Sequence, residues 1–185
     1  MTLSDDGAAS AERRLLQSVV EVARHAFGAA ASSIFLVDPV NGDLVFEAVA
    51  GEGDGQLVGT RFPAGTGIAG WVAASGQSML VDDLRESRHF SGQAAQSTGY
   101  VPNSIMAAPL FGEEDCVGVL EVLDRSTHHV RETADVGLLD LLAGQAAIGL
   151  ELLTRLRAAT PDQRSDRALR LLEMAEALLV ENARG

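Results

Sequence analysis

Hydrophobic positions change their period twice along this chain. Beyond Ser10, a possible helix cap, Leu15, Leu16, Val19, Val20, Val22, Ala23, Ala26 and Phe27 recur at i, i+3, i+4 and i+7, the spacing of an amphipathic helix. This stripe is wider than one sheet contact requires, and residues 1–9 ahead of it read as a frayed, disordered tail. The pattern then shortens to strand length at residues 33–37, 44–49, 57–62, 78–81, 104–111 and 116–123. Asn41-Gly42 supplies turn chemistry between the first two, and Gly112 to Asp115 joins the last two as a hairpin. Residues 132–157 are apolar nearly all round a helix, which means burial on two sides. After the break at Thr160-Pro161-Asp162, residues 163–183 form a second amphipathic helix. The pattern predicts an α+β domain with an antiparallel sheet of five to six strands over residues 10–158, and an added helix within 159–185.

The densest local signal is Pro63-Ala64-Gly65-Thr66-Gly67-Ile68-Ala69-Gly70-Trp71-Val72. Two glycines release the chain from the extended conformation, and residues 68–74 make about two turns of helix stopped by Gly76. Gly65 to Gly70 satisfies G-x-G-x-x-G. The dinucleotide fingerprint also needs a long helix and an acidic residue about 20 positions on. Gly76 ends this helix early and Asp82-Asp83 arrive too soon. The stretch reads instead as one wall of a small-molecule pocket, with unpaired N–H groups of its first turn available to a ligand.

Charge narrows the partners. The chain has 185 residues and a net charge of −12, and its 14 basic residues are all Arg. No basic face exists for nucleic acid or anionic membrane. A single cysteine, Cys116, excludes an internal disulfide and fits a cytoplasmic protein. No apolar run approaches the roughly 20 residues of a membrane span.

The order helix, strands, Gly-Ile-Ala-Gly-Trp-Val-Ala-x-x-Gly-Gln, Val-Asp-Asp, Ala-Ala-Pro-Leu, Gly-Val-Leu-Glu-Val-Leu and closing helix resembles a GAF domain. The resemblance covers residues 10–157 and implies a PAS-like sheet with pocket-forming helices on one face. It also implies terminal helices on the other face, which in that family typically form a parallel homodimer and transmit a signal. The residues from Phe90-Ser91 to Ser97-Thr98-Gly99-Tyr100 are similar to a segment of cyclic-nucleotide-binding GAF domains of phosphodiesterases. By that resemblance Ile68, Ala69, Phe90, Ser91, Thr98, Tyr100 and Glu121 are the ligand-binding positions. Ser91, Ala95 and Pro102 depart from the family pattern, and each lost stack or hydrogen bond removes roughly 1–3 kcal/mol from cyclic-nucleotide affinity. Asp124-Arg125 stands where the family has Asn-Lys, and Arg125 with Asp135 can replace its structural ion pair. Glu121 could equally be a surface carboxylate on a sheet edge, and Thr98 a turn residue before Gly99.

Other chemistries fit less well. Reductases of free methionine sulfoxide share the fold but need several cysteines. The histidines His25, His89, His128 and His129 do not stand at the haem position, and no catalytic triad or carboxylate pair stands out. The expectation is a non-catalytic, small-molecule-sensing regulatory domain with no resident cofactor or metal, signalling through its homodimer helices to a protein effector. The ligand is unknown, and residues 85–102 are its lid. The competing class is a dimeric interaction scaffold with an unliganded pocket.

Overall fold

Strands with apolar residues on both sides need cover on both faces of their sheet, and here each face receives helices. The structure, a computed structural model, describes residues 3–52, 57–84, 87, 92, 96, 98–126 and 132–158. Helix α1 (Leu3–Ala26) leads into strands β1 (Ala31–Val37), β2 (Leu44–Gly51) and β3 (Arg61–Phe62), then helix α2 (Gly67–Ser75). Strands β4 (Met79–Val81), β5 (Ile105–Phe111) and β6 (Cys116–Leu123) follow, and α3 (Glu132–Ala158) closes the described chain. All neighbours pair antiparallel in the order β3-β2-β1-β6-β5-β4.

Alternation along the strands divides the core in two. Ile34, Met106, Ala108, Leu110, Leu120 and Val122 turn towards α1 and α3, where Leu16, Val20, Ala23, Leu139, Ala143 and Ala146 meet them. Phe35, Phe46, Ile105, Ala107 and Val119 turn to the other face, against Ile68, Ala69 and Val72 of α2. A bulge at Glu47, where Ile34 pairs with Ala48 but Phe35 with Phe46, reverses the parity of β2. Phe46 and Val49 thereby reach the same face despite their odd spacing.

The α1 and α3 helices run antiparallel across the sheet. Glu12 pairs with Arg157 at 2.7 Å, and further along α1, Leu15 lies so close to Gly149 that a Cβ there would sit 2.5 Å from its Cδ2. Two sequence expectations are corrected. The tail expected over residues 1–9 is helical from Leu3, and Ala9 and Ala11 are strong helix formers. The strand expected over 57–62 is only Arg61–Phe62, because Gly59 at φ 88° bends the chain before it. Ala134–Ala158, with 25 residues and mean hydropathy 1.6, is long and apolar enough by length and composition to cross a membrane. Its leucines and alanines raise the mean without one unbroken run, and one face packs into the core through Leu139, Ala143, Ala146 and Ala147. The helix expected over 163–183 lies outside the described residues.

The turn into α2 brings two backbone segments into close approach beside the pocket. Gly65 and Gly67 have φ 74° and 65°, and a Cβ on Gly70 would lie 2.3 Å from the Gly65 carbonyl carbon. Gly76 at φ 66° ends the helix, its N–H bonding Val72 O. Nine helical residues followed by an antiparallel β4 exclude the dinucleotide-binding arrangement. Gly70→Ala should therefore lower stability by about 1–3 kcal/mol, read from urea unfolding. An unchanged midpoint would show that the Gly65 turn can retreat without cost.

Candidate functional site

A cavity lies between the start of α2 and the sheet. Its floor is Ser33 and Phe35 of β1, Phe46 and Val49 of β2, Ile105 of β5, and Glu121 and Leu123 of β6. Thr66, Gly67, Ile68 and Ala69 form one wall, and Thr98, Tyr100 and Pro102 another. About 100 Å³ is open to the centres of water-sized molecules. Widening that space by a water radius gives room for roughly ten non-hydrogen atoms.

Three aromatic rings shape the apolar end. Phe35 and Phe46 have centroids 4.0 Å apart, and Phe62 stands 5.6 Å from Phe46, edge to face. At the polar end Glu121 occupies a central strand, opposite Ser33 on β1 and Ala107 on β5. It is no edge carboxylate: only 7% of it is exposed. The Ser33 hydroxyl hydrogen-bonds its carboxyl, yet burial prevails and pushes the group up to about 7. The backbone carbonyl of Glu121 separately accepts the Ser32 hydroxyl at 2.8 Å, so β1 and β6 are tied at this level by side chain as well as ladder.

The α2 wall contributes backbone. The N–H groups of Gly67, Ile68 and Ala69 lie in the first turn, where a helix offers no internal acceptor, and these residues border the cavity. Thr66 is the N-cap residue, and its side chain makes no capping bond.

The far wall is held by an aspartate. Asp124 Oδ1 accepts the backbone N–H of Asn103 at 2.8 Å and of Ser104 at 2.9 Å, while Oδ2 accepts the Tyr100 hydroxyl. Burial, then this bond, pushes the Tyr100 phenol above its ordinary value. Thr98 caps its own turn, donating to Tyr100 O at 3.1 Å and accepting Tyr100 N–H at 3.4 Å. Next along the chain, Arg125 is buried and bridges Asp135 at 3.1 Å and Asp82 at 3.2 Å, the structural role its sequence position suggested.

Of the positions expected to bind ligand, Ile68, Ala69, Thr98, Tyr100 and Glu121 converge on this cavity. Thr98 is also the turn residue that its neighbour Gly99 suggested, and Tyr100 is anchored by its hydroxyl on Asp124. Phe90 and Ser91, with most of the expected lid over 85–102, lie outside the described residues. Sequence reasoning missed Ser33 and the three phenylalanines, whose signal was strand alternation read from the register of Glu121. Cys116 does not line the cavity. Its half-buried Sγ lies 3.1 Å from Gly118 O, and burial pushes the thiol up, away from the thiolate that redox chemistry needs.

The family profile described as GAF domain matches residues 12–150. The chain belongs to the GAF domain family. This family supplies regulatory, sensory domains to signalling proteins, and the antiparallel α+β architecture agrees with it. A probable 3',5'-cyclic phosphodiesterase of Caenorhabditis elegans is 26% identical over 116 residues, 58% of this chain but 16% of that protein's length. The GAF domain of a phosphoenolpyruvate-protein phosphotransferase from Coxiella burnetii superposes with TM-score 0.69 at 22% identity, covering 80% of this chain and 87% of that one. A free methionine-R-sulfoxide reductase from Neisseria meningitidis, in complex with its substrate, superposes with TM-score 0.59 at 26% identity over 80% and 81% of the two chains.

The raised carboxyl of Glu121 sets a pH dependence. Its folded value of about 7 exceeds its ordinary 4.5, so the protonated form suits the fold. Its unfavourable contribution grows as pH rises from 4.5 through about 7, reaching on the order of 3 kcal/mol above that. Relative to wild type, Glu121→Gln should gain about 1–3 kcal/mol between pH 5 and pH 8, measured by urea unfolding at both. An identical effect of the substitution at both pH values would refute this titration.

Proposed function

We propose that this GAF domain is a non-catalytic sensor that binds a small molecule in the cavity and reports through a helical homodimer to a separate protein effector. One observation carries the reading: the sheet has a ligand-sized cavity on one face and an exposed apolar helix seam on the other. On α3, Leu138, Leu141, Ile148, Leu152 and Leu156 are each at least 41% exposed. At 100° per residue they fall, with exposed Gln145, in an arc of about 80°, opposite the Leu139–Ala143–Ala146 face that packs on the sheet. Such spacing is that of a two-helix seam, and a second copy of α3 is its natural cover. A polar residue within the seam would fix register. Val22 of α1, half exposed, widens the surface.

The position of Cys116 argues against an enzyme of the sulfoxide-reductase kind, since its sulfur is outside the cavity. A scaffold with a collapsed pocket fits less well than a sensor, because the cavity has both open volume and a buried carboxylate. Sedimentation velocity should give a dimer for the wild type and a monomer for Leu141→Glu with Leu152→Glu, with circular dichroism unchanged. A wild-type monomer at every concentration would remove the dimer from this reading.

A further inference from the structure

The cavity has a charge character that narrows its ligand. Two carboxylates line it, Glu121 at the floor and Glu52 at the rim, and no Arg or His does so among the described residues. An ionised carboxylate offers about four acceptor sites, and Glu121 is hydrogen-bonded by the Ser33 hydroxyl, which satisfies only part of that capacity. On the same side of the sheet, further along the cavity, stand the rings of Phe35, Phe46 and Phe62. A buried carboxylate sharing a cavity with aromatic rings suits a cation: the carboxylate pairs with its charge and the rings attract it where water is excluded. Among the described residues, an anion would meet two like charges, with the first-turn N–H groups of α2 to compensate.

Resting on the sensor reading above, we infer that the cavity takes a small organic cation, a protonated primary amine on a compact apolar body. The ammonium group bonds Glu121 and the apolar body lies against Ile68 and the phenylalanines. A molecule of this kind with about nine non-hydrogen atoms fits the space available. It also relieves a carboxylate that the fold buries at a cost.

Three near-isosteric probes test this at pH 8, where Glu121 is largely ionised and a primary alkylamine remains protonated. Phenethylamine, 2-phenylethanol and phenylacetate are titrated into the full chain, with affinity read from calorimetry and amide NMR shifts at Ile68 and Ala69. Phenethylamine should bind at least about tenfold tighter than the alcohol, and phenylacetate should bind weakest. Glu121→Gln, isosteric and able to keep the Ser33 bond, should erase the amine's advantage and leave the alcohol within about twofold. Phenylacetate binding as tightly as the amine, or an amine preference surviving in Glu121→Gln, overturns the cation assignment while leaving the cavity a ligand site. If none of the three shifts Ile68 or Ala69 at millimolar concentration, the sensor reading falls with it.

Discussion

The corner formed by Asp124 and Arg125 joins the parts of this domain that its function requires. At the end of β6 the chain turns through Asp124, at φ 50°, a left-handed conformation that a short polar side chain tolerates better than most. Its carboxylate gathers Tyr100, Asn103 and Ser104, so the far wall of the cavity hangs from this one residue. Arg125, turned inward beside it, clasps Asp82 after β4 and Asp135 at the start of α3. Ser126 N–H then bonds Phe27 O just past α1. Cavity wall, sheet edge and both terminal helices therefore meet within three consecutive residues. An arginine this buried is costly unless paired, and its two aspartates are what make the corner hold.

From that corner the distance between the cavity and the packed helices is short. Glu121 faces the cavity, while its neighbours Leu120 and Val122 face α1 and α3. A strand buried on both faces cannot shift on one side without being felt on the other, because interiors are packed near crystal density. A ligand can bias such an element only through a difference in affinity between its arrangements.

Much of this was legible in the sequence where one residue type had one physical use. Gly65, Gly67, Gly70 and Gly76 marked the turn and the helix stop because positive φ and a backbone approach of 2.3 Å admit little else. The hairpin from β5 to β6 was readable from continuous apolar runs around a polar turn. Register was not. Whether Glu121 lay on an edge or at the centre depended on strand order, a non-local property that no local pattern contains. The same ignorance hid Ser33, which matters only because it is opposite Glu121. Glu47 as a bulge was invisible too, since the alternation it interrupts resumes on both sides. The helical start at Leu3 was missed because capping at Ser10 looked sufficient, although alanines upstream could extend the helix.

The energetics of Glu121 tie the cavity to the rest. A carboxylate buried in a central strand, with its folded value moved from 4.5 to about 7, costs the empty domain on the order of 3 kcal/mol when ionised. Replacing it with an apolar residue would remove that cost, so a stable fold alone does not account for its presence. The cation proposed for the cavity would recover that cost on binding and so stabilise the liganded domain, by the same linkage that sets the pH dependence. The difference is large enough to move a two-state equilibrium by about a hundredfold. Because Glu121 is three residues from Asp124, that stabilisation would act on the strand whose end anchors the cavity wall and α3 together.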